Sequence, residues 1–358
     1  MNLRKIIFEL HKILGLTTGI VVFIVAITGC CWAFRDEIES LYDDYKKVSP
    51  QNKPILTPTE AKMYAMEVFP NNHVHGTLFK KADDAIEVIF YDPEPEFYQS
   101  VFLNPYTGKV IQVDDHLSGF FAFILKGHMR LWLPKEIGEQ VVGASILIFM
   151  VIILSGIFLW IPKKRKNLKQ RLGFNWKDST RWKRKNFDLH TVIGFYICSL
   201  ALILAFTGSV MSYNWMKYVL YKSLGGDKEA AFIIPENIGT ANINDDVKPM
   251  DLLIPKLWAA SPEAESFELH YPKSEDESIY VEVSNSSGLY YDSDFRFFDQ
   301  HTLEEIETPG IYGKYEDAKV ADKILRMNYD IHIGAIGGIA GKIIAFLVSL
   351  LTASLPVT

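Results

Sequence analysis

The stretch that decides the fold is written twice: Phe8-Glu9-Leu10-His11 with Gly15 and an apolar run to Thr28-Gly29, then Phe187-Asp188-Leu189-His190 with Gly194 and an apolar run to Thr207-Gly208. In both copies glycine follows histidine by four residues and the Thr-Gly pair begins seventeen residues after it, so the match is one of register and not of composition alone. Each run supplies the roughly 20 apolar residues that a helix needs to cross hydrocarbon at about 1.5 Å per residue. Two further apolar stretches, 141–161 and about 339–355, meet the same requirement, and four membrane helices are expected.

Composition limits what else the chain can be. At 49% hydrophobic residues and a mean hydropathy of +0.08, the chain cannot lie in a membrane throughout, and roughly 200 residues must be soluble. They fall in two blocks, 36–135 and 214–330. Net charge is −6, yet between 163 and 188 eleven Lys or Arg stand against two Asp. The positive-inside rule places that loop in the cytoplasm, and Arg4 and Lys5 place the N-terminus on the same side. Both soluble blocks then face outward, into the periplasm of a Gram-negative cell, with the helices in the inner membrane. Topology accounts for the basic loop, so no nucleic-acid partner is expected.

The three cysteines, Cys30, Cys31 and Cys198, all fall in expected membrane helices and leave none in the exported blocks to pair. Ile27-Thr28-Gly29-Cys30 has the look of a lipoprotein cleavage site. The recurrence of Thr-Gly in an interior helix, where no signal peptidase acts, argues against that reading.

Within the first block, 57–70 has a threonine cap, helical apolar spacing and a proline terminator. Strand-like segments follow at 85–91 and 97–103, then a turn at Asn104-Pro105-Tyr106-Thr107-Gly108 and a strand at 109–113. The second block repeats this plan more loosely: a helix at 250–261, strands at 266–271 and 278–284, and a closing segment at 295–307 in which Leu303 replaces the glycine. The expected order is helix 1–35, α+β module 36–117, interfacial segment 118–136, helix 137–162, basic loop 163–186, helix 187–214, module 215–322, interfacial segment 323–338 and helix 339–358. The fold class is thus a membrane α-helical bundle of four transmembrane helices, a duplicated parallel repeat, with two extracytoplasmic α+β modules.

The first block resembles a PepSY domain in the helix around Glu60-Ala61 and the strand-turn-strand VFLNPYTGKVIQV. Over nearly its full length the chain is similar to PepSY-associated transmembrane proteins. The residues that carry the likeness are LHKILG with ITG, DLHTVIG with FTG, GHMRLWLP before the second helix and DIHIG before the fourth. The sequence departs from the pattern where the fourth helix stops at LTASLPVT without a basic tail, so that either the chain is truncated there or its last helix is unusually terminal. The resemblance implies a di-haem inner-membrane reductase that acts on ferric siderophores in the periplasm.

Of nine histidines, His73, His75, His116, His270 and His301 lie in exported segments and read as solvated or locally bonded. The other four repeat: His11 and His190 near the cytoplasmic helix ends, His128 and His332 near the outer ones. Ionisable groups at such depth are rare and mostly functional. A pseudo-twofold axis would set His11 against His190 and His128 against His332, the arrangement that supplies two axial ligands to each of two haems. Gly15 and Gly194 would clear space for a macrocycle, and Arg130 and Arg326, with Lys126, Arg184 and Lys185, would meet its propionates. With no Cys-x-x-Cys-His the haems are expected to be b-type and not covalently attached.

The cytoplasmic loop is too small for a flavin or nicotinamide domain, so electrons would come from a membrane quinol or a separate cytoplasmic donor. The acceptor implied by the resemblance is a ferric siderophore or other ferric chelate, and membrane lipid is the other partner. Two readings without haem stay open at this stage: a membrane-tethered PepSY protease-inhibitor or sensor module, and a small transporter.

Overall fold

The structure is a computed structural model that describes residues 2–162, 168–239 and 249–358. Residues 163–167, the start of the basic loop, lie outside the described residues. In chain order the elements are α1 (Leu3–Trp32), α2 (Arg35–Glu39), α3 (Pro58–Met66), β1 (Val74–Phe79), β2 (Ile86–Pro93), β3 (Glu96–Leu103) and β4 (Val110–Asp115). Then follow α4 (Gly119–Arg130), α5 (Lys135–Trp160), α6 (Trp182–Ser212), α7 (Asn214–Ser223) and α8 (Pro249–Ala260). The chain ends with β5 (Ser266–His270), β6 (Ile279–Ser284), β7 (Asp294–Phe298), β8 (Glu305–Ile306), α9 (Val320–Ile333) and α10 (Gly338–Ser354). Contacts divide it into a helical unit (1–35, 120–217 and 328–358) and a sheet unit (36–119 and 218–327).

In the helical unit four segments are long and apolar enough to cross a membrane: Leu3–Trp32, Lys135–Trp160, Trp182–Ser212 and Ala335–Val357. Helix α1 packs on α5 and α10, and α6 packs on the same two. The centre is small, built from Val22, Phe149, Ile153, Ala201, Ala205 and Val348. Alanines at 201 and 205 let the backbones approach, the usual basis of association where lipid removes any hydrophobic drive between helices. Outward-facing Leu16, Ile20 and Ile137 stay exposed, as a helix solvated by acyl chains requires.

The sheet unit corrects the expectation of two separate modules. Its eight strands form one antiparallel sheet in the order β4-β3-β2-β1-β5-β6-β7-β8. The seam is β1 with β5, pairing Gly76 with His270 and Phe79 with Phe267. One face is apolar, with Val88, Phe90, Val101, Leu103, Phe267, Leu269 and Val281 fully or almost fully buried. Helices α3 and α8 supply Ala61, Ala65, Leu253 and Leu257 to the same core. The start of α3 is fixed by a capping box: the Glu60 amide donates to Thr57 Oγ1 at 3.3 Å and the Thr57 amide donates to Glu60 Oε2 at 2.8 Å. Asp251 of α8 accepts from the Thr59 amide at 2.9 Å, and Tyr271 donates to Pro58 O at 2.9 Å, so polar contacts tie the second half of the sheet unit to the first.

Both closing hairpins share one turn geometry. The Gly108 amide donates to Asn104 O at 3.0 Å with φ +70°, and the Leu303 amide donates to Asp299 O at 3.1 Å with φ +57°. Leucine therefore accepts a left-handed conformation where the first half has glycine, and its side chain packs on the core in return. At Gly108 a Cβ would stand 2.3 Å from the Tyr64 ring. Gly108→Ala is expected to cost about 3 kcal/mol through left-handed strain and this overlap. In the full chain that should lower the melting midpoint by roughly 5–10 °C in a differential scanning measurement, whereas Leu303→Gly should change it little.

Candidate functional site

The four repeated histidines meet in two pairs inside the helical unit. His11 on α1 faces His190 on α6 with ring centroids 6.2 Å apart and ring planes at 86°. His128 on α4 faces His332 on α9, also at 6.2 Å, with planes at 58°. The second pair is bonded to Val25 and Thr28, fourteen or more residues along α1 from His11, so the two sites stand roughly 21 Å or more apart at helical rise.

Every one of these rings has its Nδ1 occupied. His128 Nδ1 lies 2.9 Å from Val25 O and 3.3 Å from Thr28 Oγ1. His332 Nδ1 lies 3.1 Å from Leu204 O and 2.9 Å from Thr207 Oγ1. His190 Nδ1 lies 3.1 Å from Leu355 O and 3.2 Å from Thr358 Oγ1. A carbonyl can only accept, so in these three rings Nδ1 carries the proton. For His11 the partner is Ser155 Oγ at 2.9 Å, and that hydroxyl spends its own proton on Ile152 O at 2.8 Å. His11 Nδ1 must therefore donate as well. Thr28 and Thr207 give their protons to Ile24 O at 2.7 Å and Ile203 O at 2.9 Å, which makes them acceptors too. All four imidazoles are held as the tautomer whose Nε2 presents a lone pair, the state a metal-binding histidine takes when its other nitrogen is bonded in the outer shell.

The Thr-Gly pairs thus have a role that the sequence showed only as a register. Threonine accepts from the imidazole, and glycine lets it lie flat on the helix. A Cβ at Gly29 would stand 3.3 Å from His128 Cε1, and one at Gly208 3.0 Å from His332 Cε1. Gly156 does the same for His11 at 3.2 Å. Ser155, Gly156, Leu355 and Thr358 were not legible as site residues, because nothing in their own segments marks them. For Thr28 and Thr207 the signal was present, in their constant offset from His11 and His190.

A cavity of about 820 Å³ surrounds the His11–His190 pair, and both Gly15 and Gly194 line it. Nothing lies within 4 Å of a Cβ built at Gly15. The volume falls in the roughly 300–1,000 Å³ range of cofactor sites. Among the described residues, the charged side chains that line it are Arg4, Lys5, Lys12, Arg171 and Lys183. Arg4 donates to Leu159 O and to Ile161 O, and Arg171 to Leu159 O and Trp160 O. These two guanidiniums close the carbonyl end of α5, where cations are favoured. Lys12 pairs with Glu9 at 2.5 Å.

The other expected cations divide. Arg130 ends α4, two residues beyond His128. Arg326, only 4% exposed, belongs to the sheet unit, where it donates to Gly313 O at 3.2 Å and to Ser293 O. Three rings, Phe295, Tyr312 and Tyr315, enclose its guanidinium within 5.9 Å. Arg184 pairs with Asp188 at 2.9 Å and Lys185 sits over Trp176.

The histidines of the sheet unit are also less solitary than their spacing implied. His75 and His270 touch edge to face across the seam with centroids 4.8 Å apart, and His270 stacks on Tyr280 at 3.8 Å. Burial, with His270 next to it, pulls His75 down to about 4. Burial, with the Glu268 carboxylate, pushes Glu282 up to about 7. Among the described residues no group of three or more His, Cys, Asp or Glu side chains is arranged to hold a metal ion.

A family model, the PepSY-associated TM region, matches residues 8–358. No curated protein matches the chain.

Proposed function

The chain belongs to the PepSY-associated TM region family, and from that premise we propose that it is a di-haem electron-transfer protein of the inner membrane that reduces a ferric chelate on the side of its sheet unit. The observation that carries this reading is the identical 6.2 Å spacing of the two imidazole pairs. Two metal–nitrogen bonds of about 2.0–2.1 Å, each extended by about 1.1 Å from nitrogen to ring centre, add to roughly 6.3 Å. Each pair offers two nitrogens and, among the described residues, no third His, Cys, Asp or Glu ligand, so a metal held there would have to bring the rest of its coordination, as iron in a macrocycle does. His11 with His190 and His128 with His332 would hold haem iron, which would supply one-electron transfer there.

The chain's own residues do the remaining work. Carbonyls and hydroxyls of α1, α5, α6 and the last turn fix the tautomer and the plane of each ligand ring. Lys5 and Lys183 at the cavity can meet carboxylates of a bound macrocycle. The eleven cations of 163–188 hold that loop inside, which puts both sheet segments outside, where a chelate arrives. Quinol or a separate cytoplasmic protein would supply the electrons.

The test is made on purified full-length protein. Low-spin b-type bands with about two haems per chain by pyridine haemochrome are expected. In liposomes loaded with reductant, an external ferric chelate should reoxidise the haems. Folded but colourless protein from haem-replete cells would overturn the proposal in favour of a tethered PepSY sensor.

A further inference from the structure

The two outer histidines are each followed by a tight turn into a membrane helix, and both turns contain residues of positive φ. After His332 the chain turns on glycines: Gly334 at φ +79° and Gly338 at φ +57°. The turn closes against Gly341, where a Cβ would stand 2.2 Å from Gly334 O. After His128 the closure is equivalent, since a Cβ at Gly138 would stand 2.3 Å from Arg130 O. Here, however, the left-handed residues are Leu131 at φ +53° and Trp132 at φ +58°. Side chains are disfavoured in that region, and two in succession need something to hold them there.

The Trp132 side chain is placed to do so. Its Nε1–H donates to Phe123 O at 2.8 Å, two turns back along α4. Its ring stacks on Phe123 with centroids 4.8 Å apart and planes at 26°. Its edge fills the space over Gly127, where a Cβ would stand 2.3 Å from Cζ2. The Leu131 amide donates to Gly127 O at 3.0 Å and the Trp132 amide to Lys126 O at 3.3 Å, so the indole folds back on the helical turn that contains His128. The opposite side of the ring is open, and the residue is 44% exposed.

We propose that Trp132 is the positioning residue of His128. By folding back on α4 it keeps the strained turn closed and so sets the height of the imidazole against Val25 and Thr28. The proposal rests on the haem reading for its spectroscopic signature only. Two variants of the full chain test it, Trp132→Ala and the double change Leu131→Gly with Trp132→Gly, which relieves the left-handed strain at both positions.

Two readouts are used. In the absorption and electron paramagnetic resonance spectra, Trp132→Ala should convert the outer haem from low to high spin, or lower its affinity by roughly tenfold, and leave the inner haem unchanged. The glycine pair should restore most of the low-spin signal. Deuterium exchange at amides 127–131, which needs no haem, should run roughly tenfold faster in Trp132→Ala and return toward wild type in the glycine pair. Unchanged exchange and spectrum in Trp132→Ala would overturn the proposal, as would a glycine pair as impaired as the alanine variant. If the wild type holds no haem, the proposed function fails while the exchange comparison still decides the role of Trp132.

Discussion

His332→Ala is expected to reduce the haem content from about two per chain to about one and to abolish electron delivery to an external ferric chelate. His128→Ala should remove the same spectral component, because these two rings face each other across 6.2 Å and, among the described residues, no third His, Cys, Asp or Glu ligand is grouped with them. His11→Ala and His190→Ala should together define the other component. The affected haem should be lost or converted to high spin, since an iron left with one imidazole would lose half of its protein anchorage. Spectra of the four single variants, each recorded before and after dithionite, group the histidines. Any grouping other than 11 with 190 and 128 with 332 would show that these contacts are not the ligand pairs. In liposomes loaded with reductant, the outer-pair variants should keep their remaining haem reduced without turnover.

Asp299→Ala should be the most damaging single change in the sheet unit. Asp299 is 1% exposed and takes four backbone amides: Ile238 and Gly239 at 2.9 and 2.5 Å, and His301 and Thr302 both at 2.9 Å. Alanine leaves those donors without an acceptor, at about 1–3 kcal/mol for each that stays buried. A total of about 3–5 kcal/mol is expected after local relaxation. Burial alone would raise this carboxyl, but the four amides outweigh it and hold it down at about 2. The folded value lies below the unfolded one, so the contribution is complete above the ordinary aspartate range near 4 and is lost as pH falls toward 2. The depression corresponds to roughly 2 kcal/mol. Melting midpoints of wild type and Asp299→Asn measured from pH 6 to pH 2.5 check the sign. The wild type should lose stability over that interval more steeply than the variant, and parallel curves would show that another group carries the acid sensitivity.

Some of this molecule could be read directly from its residues. The four spans, the charge of the loop between the second and third, and the repeat of His, Gly and Thr-Gly each depend on length, charge and spacing within one segment, and bilayer thickness and helical rise act on those quantities locally. The facing of His11 with His190, at 6.2 Å between ring centroids, was expected from the recurring His, Gly and Thr-Gly spacing. The turn at Leu303 could also be matched to Gly108, although only the backbone showed that leucine accepts the left-handed conformation there.

The rest was decided between segments distant in the chain. Nothing near Ser155 or Thr358 marks them as acceptors for imidazoles on α1 and α6, and nothing near Arg326 reveals that Ser293 and Gly313 will take its guanidinium away from the helices. The joining of β1 to β5 turned two expected modules into one sheet, since each exposed edge offered unpaired amides and carbonyls that the other could satisfy. Sequence therefore determined which segments enter the membrane and which histidines repeat. The tertiary structure decided which polar groups those histidines meet, because a hydrogen bond depends on the distance between atoms and not on their separation along the chain.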